Sequence, residues 1–187
     1  MPGITREKAL ELLDTHVKTP NMRNHCLAAE AVMRALAVRL GTDPDQWGLA
    51  GLLHDLDAES TADDMTRHTR EAEPLLREAG VSEPLIRAIR MHNEAANDER
   101  RSDLFHHALA AGETITGLIV ATTLVYPDRK LASVKPKSVR KRMKEKAFAA
   151  GVDRGIVMEC EALGLSLEEF IEICLEAMTG IAGELGL

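Results

Sequence analysis

Apolar residues recur at helical spacing along most of this 187-residue chain, and no segment alternates between apolar and polar residues as a strand would. Residues that begin and end helices interrupt the pattern at intervals. Asp43 followed by Pro44 is typical of a helix start, whereas Gly41 and Gly80 are typical of helix ends. The sequence therefore predicts an all-α fold.

The pattern divides the chain into helices and suggests one internal boundary. The predicted helices lie at about 5–17, 21–40, 43–54, 61–80, 82–92, 102–126, 138–148, 153–163 and from 166 onward. The stretch 130–136 separates a core, residues 1–130, from a C-terminal helical extension, residues 131–187, that we expect to pack on it. The length suits one domain with such an appendage.

The composition argues against several classes of function. A net charge of −7 does not favour non-specific binding to DNA or membrane surfaces, and 3% aromatic residues are too few to stack nucleic-acid bases. The longest apolar run, about 115–126, is too short to span a bilayer, and the N-terminus lacks an apolar signal region. Three cysteines without CxxC spacing suit a reducing compartment. We therefore expect a cytoplasmic protein without a membrane partner, and nucleic acid is an unfavoured partner.

Five of the predicted helices each carry a polar residue on the apolar face that should be buried. These residues are His25, His54, His68, His92 and Glu113, and Asp55 directly follows His54. A single histidine on an apolar face is more often a hydrogen-bonded core residue than a metal ligand. A buried carboxylate, however, costs several kcal/mol unless it is paired or metal-bound, and one shared metal site would offset that cost for the whole set. The residues alone leave these two interpretations about equally favoured.

The ordered set resembles the HD-domain superfamily of metal-dependent phosphohydrolases. Its order is a histidine, a His-Asp pair, two further histidines and an acid. The strings WGLAGLLHDLD, AIRMHNEA and ETITGLIVATTLVYPDRKLASVKPKSVRKRMKEKAFAAGVDR also look like one branch of that superfamily, small bacterial proteins of poorly defined substrate. The resemblance covers about residues 16–154 and implies an HD-domain-like helical bundle.

The resemblance also implies a site for divalent transition metal, with two ions. The first ion would be held by four residues: His25, His54, Asp55 and Glu113. The second would share Asp55 as a bridge and add two histidines, His68 and His92. Imidazole and carboxylate ligands without thiolate suit Fe, Mn, Co, Ni or Zn.

The chain departs from the superfamily pattern at two positions. The last ligand is normally Asp, whereas this chain has Glu113, which is one methylene longer. Many members carry a lysine shortly after the His-Asp pair, but here Leu56 and Asp57 follow. Asp57 either orients a ligand histidine or metal-bound water, or simply begins the next loop.

The implied reaction is hydrolysis of a small phosphorylated substrate, a phosphomonoester or nucleotide, by metal-bound hydroxide. Asp55 and Asp57 are the catalytic candidates, with Arg67 as the cation that would face the phosphate. For Arg67, as for the other arginines near the ligands, an exposed position on a helix is the more common explanation. The basic run at 135–146 is either a solvated helix face or a surface that covers the mouth and binds a polyanion such as a nucleotide, with RNA as a third option.

Two other functions remain as alternatives. One is a di-iron oxygenase built on the same fold. The other is a non-catalytic signalling module that keeps the fold and binds metal or nucleotide.

Overall fold

The computed structural model describes residues 2–187, and within that range the regular structure is entirely helical. The helices are α1 (Arg6–His16), α2 (Pro20–Leu40), α3 (Pro44–Leu53), α4 (Ala72–Glu78), α5 (Glu83–His92), α6 (Leu104–Leu124), α7 (Pro136–Met143), α8 (Arg154–Val157), α9 (Leu167–Gly180) and α10 (Ala182–Leu185). Short 3-10 turns cover Glu94–Ala96, Leu131–Ser133 and Met158–Leu163. The prediction of an all-α fold is confirmed.

Local side-chain chemistry explains where several helices begin and end. The Asp43 carboxylate accepts hydrogen bonds from the amides of Asp45 and Gln46 and so caps α3. Gly41 ends α2 in the left-handed conformation, at φ 68°, which glycine adopts at little cost. These ends agree with the sequence prediction because the signals that determine them are local.

The predicted helix at 61–80 is wrong over its first half, because residues 54–71 form successive turns and α4 begins only at Ala72. The Thr61 hydroxyl donates to the Asp57 carbonyl, so a side chain takes part in the hydrogen bonding of this backbone carbonyl and competes with a regular helix. Thr69 then adopts a positive φ of 77°, which ends any continuous helix before α4. Asp57 accepts a hydrogen bond from the Ala72 amide and stabilises the first turn of α4.

Two predicted helices in the C-terminal part are also shorter than expected. Helix α7 stops at Met143 rather than near residue 148, and the predicted helix at 153–163 splits into α8 and a 3-10 turn. Ala149 has a positive φ of 45°, and the Arg154 guanidinium donates to the carbonyls of Ala149 and Val152. The segment between α7 and α8 is therefore a loop whose carbonyl groups are satisfied by one arginine.

The core forms around α2, α3 and α6. Helices α2 and α3 approach so closely that a Cβ on Gly51 would lie 2.5 Å from the Ala29 carbonyl oxygen. Helix α6 is long and apolar enough to cross a membrane by length and composition, and it is longer than the apolar run identified in the sequence. However, 61% of the apolar 18-residue stretch within α6 is buried inside the fold, which is typical of a core helix.

The C-terminal helices share this core. Phe170 and Cys174 of α9 are fully buried in the same apolar cluster as Leu36 of α2. Helix α9 thus contributes to the same core as α2, while the division of the chain into a core and an extension at residue 130 stays a prediction.

Candidate metal centre

Side chains from three helices and one turn segment converge at the C-terminal end of α3. His25 comes from α2, His92 is the last residue of α5, and Glu113 lies in the middle of α6. His54 and Asp55 directly follow α3, and His68 lies in the turns before α4. His25 and Glu113 retain the largest side-chain exposure of the six, 24% and 17%, so the cluster opens to solvent on their side.

The first group of potential ligands consists of His25, His54 and Asp55. The Nε2 atoms of the two histidines lie 3.1 Å apart. Each of these nitrogens is 3.4 Å from Oδ2 of Asp55. A single cation could therefore reach all three atoms.

The second group consists of Asp55, His68 and His92. The Nε2 atoms of His68 and His92 are also 3.1 Å apart. They lie 3.2 Å and 3.6 Å from Oδ1 of Asp55. Asp55 thus turns one carboxylate oxygen to each histidine pair, which is the geometry expected of a bridging ligand between two ions.

Each of the four histidines has an acceptor for a proton on Nδ1. The acceptors for His54 and His92 are the carbonyl oxygens of Gly51 and Ile89, at 2.8 Å and 2.6 Å. Carbonyl oxygens cannot donate, so Nδ1 carries the proton in both rings. Nε2 is left with a lone pair that points into the cluster.

The same tautomer holds in the other two rings. The Thr116 hydroxyl donates to the Glu113 carbonyl, so its oxygen accepts from His25 Nδ1 at 2.9 Å. His68 Nδ1 donates to the Asp57 carboxylate at 2.7 Å. Metal-binding histidines usually have such a partner on the second nitrogen, which fixes the ring and its tautomer.

This arrangement fits a bound cation better than a hydrogen-bonded histidine core without metal. Burial lowers the pKa of His25, and it lowers the pKa of His54 to about 3, so both rings are neutral near pH 7. Two nitrogen lone pairs 3.1 Å apart repel each other unless a cation lies between them. Burial also opposes ionisation of Asp55, but His54 and hydrogen bonding to His68 hold the pKa of its carboxyl well below the usual value. The cluster therefore offers the negative charge of Asp55 and the two neutral imidazoles of His25 and His54.

Asp57 orients His68 and does not contact the other ligands. Its side chain is almost completely buried, and its two oxygens accept from His68 Nδ1 and from the Ala72 amide. Burial alone would lower the pKa of His68, but hydrogen bonds with Asp55 and Asp57 raise it to about 9. In the absence of metal, Nε2 of His68 is therefore protonated, and it faces Asp55 and His92.

Glu113 lies at the solvent side of the first group. Its Oε2 is 3.6 Å from His25 Nε2, and its Oε1 accepts a hydrogen bond from the Thr114 hydroxyl. Burial and the charge on Asp55 raise the pKa of Glu113 to about 8. A cation in the first group would offset both effects, so Glu113 fits as an additional ligand there.

The structure does not bring Arg67 to the cluster. Its guanidinium is 47% exposed and pairs with Glu71 at 2.5 Å. The other arginines near the ligands are also engaged elsewhere. Arg70 donates to the Ala96 carbonyl, and Arg87 pairs with Glu99.

The mouth of the cluster is a cavity of about 380 Å³. Besides the ligands, it is lined by Met65, Asn93, Thr114, Gly117, Gly151, Val152, Asp153 and Ile156. No lysine or arginine is part of this lining among residues 2–187, so the basic run at 135–146 does not cover the mouth. Arg140 of that run pairs with Glu168 on α9 instead.

Sequence reasoning named Asp57 as one group that could orient a ligand histidine, but it missed the three groups that orient the other histidines. The carbonyls of Gly51 and Ile89 each precede their histidine by three residues, which is the spacing of a helical turn. That spacing was visible in the sequence. Thr116 shares a helix face with Glu113, but only the packing of α2 on α6 brings it to His25.

Replacing Asp57 by asparagine should weaken metal binding by about 10- to 100-fold, because His68 loses the carboxylate that orients it. The measurement is metal affinity by competition with a chelator. Asp64→Asn is the matched control, since that carboxylate is exposed and bonds only Thr66 in the same turn segment. Equal affinities in the two variants would contradict this role.

Comparison with known proteins agrees with the geometry. A family model described as the HD domain matches residues 22–123, which is more than half of the chain and includes all six candidate ligands. No curated protein and no solved structure gives a significant match. Members of this family are generally metal-dependent hydrolases. The chain therefore belongs to the HD domain family.

Proposed function

We propose that this protein is a metal-dependent phosphohydrolase that acts on a small phosphorylated substrate. The observation that carries the proposal is the placement of Asp55 between two histidine pairs, with one oxygen toward each pair. Two adjacent ion sites are the arrangement that many phosphoester-cleaving enzymes use. We expect the metal to be Fe, Mn, Co, Ni or Zn, because the donors are imidazole and carboxylate.

Bound divalent metal would supply activation of water and neutralisation of the phosphoryl charge. In the reaction, the oxygen of water bonds to phosphorus, the bond from phosphorus to the ester oxygen breaks, and the leaving oxygen takes a proton. The products are an alcohol and phosphate. This balance requires no oxidant or reductant.

The residues of the chain have separate roles in this proposal. Asp55 would hold both ions at a fixed separation, and Asp57 would keep Nε2 of His68 directed at its ion. The Nδ1 acceptors keep all four rings in the tautomer that binds metal. Rigid positioning of this kind reduces the reorganisation that the reaction requires.

A cytoplasmic setting fits this proposal. The three cysteines, Cys26, Cys160 and Cys174, are free and buried, and they need no oxidising compartment.

The direct test joins metal analysis with a substrate panel on the same preparation. We expect protein loaded with Mn, Co, Ni, Fe or Zn to release phosphate from p-nitrophenyl phosphate or from at least one phosphomonoester in the panel. The control is Asp98→Asn, in which an exposed carboxylate outside the cluster is changed. Metal-loaded, folded protein that releases no phosphate from any member would overturn the proposal.

The cation-free lining of the mouth keeps the di-iron oxygenase as a second candidate. An oxygenase does not need to neutralise a phosphate, so such a lining would suit it. Iron-loaded protein that consumes O₂ and gives a mixed-valent di-iron EPR signal, without phosphate release, would favour this candidate.

A further inference from the structure

A second cavity, of about 410 Å³, lies beside the metal centre between α2, α6 and the C-terminal residues. Its apolar walls are formed by six residues: Ala28, Val120, Ala121, Leu124, Leu185 and Leu187. We call this cavity the α2–α6 groove. Its volume is in the range of ordinary small-molecule sites, which are mostly apolar with a few polar groups.

The groove and the mouth of the metal centre are adjacent, because His25 and Gly117 line both cavities. The His25 ring separates them, with Nε2 toward the cluster and Nδ1 bonded to Thr116, which lines the groove. Gly117 contributes no side chain at this boundary. The two cavities therefore share an edge at His25 and Gly117, and a ligand at the cluster would extend over this edge to reach the groove.

Val152 packs against Gly117 on the side of the mouth. A Cβ on Gly117 would lie 3.3 Å from Val152 Cγ2, closer than most Cβ contacts. An added methyl group at residue 117 would therefore contact Val152 and occupy space at the edge that the two cavities share.

The charge of the mouth limits the substrates that suit it. Among residues 2–187, no lysine or arginine lines the mouth or the groove. The polar groups of the groove outside His25 are uncharged, namely Asn21, Asn24 and Thr116. Sites for polyphosphates generally supply cationic side chains to hold the extra charges. Metal held by the cluster would neutralise one phosphoryl group, but no cationic side chain in either lining would hold a second.

We propose that the α2–α6 groove binds the organic group of the substrate, and that this group is apolar. The inference rests on the proposed phosphohydrolase function and specifies its substrate class as the phosphoester of an apolar alcohol rather than a nucleotide. The phosphoryl group lies at the metal centre, and the hydrocarbon passes Gly117 and lies against Val120, Ala121 and Leu124.

The test measures binding without turnover, using methyl-, butyl- and octylphosphonate, which lack the cleavable ester bond. Calorimetry is done on the metal-loaded protein, with every ligand below its micelle concentration. We expect affinity to rise by roughly two- to fourfold for each methylene that enters the groove. We also expect octylphosphonate to bind more tightly than adenosine 5′-monophosphate.

Two variants locate the hydrocarbon. Gly117→Ala narrows the boundary and should reduce the octyl-to-methyl affinity ratio by about tenfold. Ala121→Leu fills the groove beyond the boundary, so it should reduce the octyl-to-butyl ratio most. Alanine and leucine both favour helix, so neither change should unfold α6. Gly180→Ala is the control, since a Cβ there meets no atom within 4 Å.

The outcomes separate this inference from the proposed function. Equal affinity for the three phosphonates, or an octyl preference that survives both variants, would overturn the apolar subsite even if phosphate release is observed. A chain-length preference that both variants reduce would support the subsite, whether or not any ester in the panel is cleaved.

Discussion

Replacing Asp55 by asparagine is expected to remove metal from both halves of the cluster and to abolish phosphate release. Asp55 is the only residue shared by the two groups of potential ligands in the part of the chain that the structure describes. An amide carries no charge, and it can present just one carbonyl oxygen to a cation. The loss in metal affinity should therefore exceed about 100-fold, the upper end of what loss of an orienting partner costs. Elemental analysis and the phosphoester panel measure the two effects.

The control for this experiment separates metal loss from misfolding. Asp98→Asn changes an exposed carboxylate outside the cluster and should retain metal and activity. Circular dichroism and urea denaturation of both variants establish that each is folded. A folded Asp55→Asn protein that retains two metal ions per chain would contradict the bridging role.

Metal should also stabilise the folded protein strongly, and this is the second large effect that we expect. The four Nε2 atoms and Asp55 converge only in the native fold, so the unfolded chain offers a much poorer site. A ligand at 100 times its dissociation constant stabilises the native state by about 2.7 kcal/mol. For a chain of this length that corresponds to a rise in Tm of roughly 5 to 11 °C.

Differential scanning calorimetry with and without added metal checks this expectation. Chelation should return the Tm to the metal-free value, and the Asp55→Asn protein should show little or no shift. A wild-type Tm that is insensitive to saturating metal would indicate that the cluster is a hydrogen-bonded histidine core without a cation.

Much of the fold could be predicted because its signals are local. The caps at Asp43 and Gly41 depend on residues within one turn, and the structure places helix ends there. The segment 61–71 could not be predicted in this way. Its residues have a helical pattern, but Thr61 and Asp57 form side-chain bonds and turns, and these compete with helix.

The candidate ligands could be identified for a related reason. The free energy that burial of a polar residue costs must be offset by a hydrogen bond, an opposite charge or a metal, so such residues stand out on apolar helix faces. The order of these residues also resembles one family. Arg67 had no such constraint. A long charged side chain near a ligand in sequence can pair with any neighbour, and here it pairs with Glu71.

The sequence by itself determined the all-α fold, the helix ends set by local caps and the set of polar residues that must be buried, and it indicated the family. Only the tertiary structure decided that Asp55 faces both histidine pairs, that Thr116 orients His25, and that an apolar groove adjoins the cluster. Helix periodicity specifies which side of a helix is buried, and it depends on neighbours a few residues apart. Distances between atoms on different helices depend on how close the helices can pack, and contacts such as Gly51 against Ala29 set those distances.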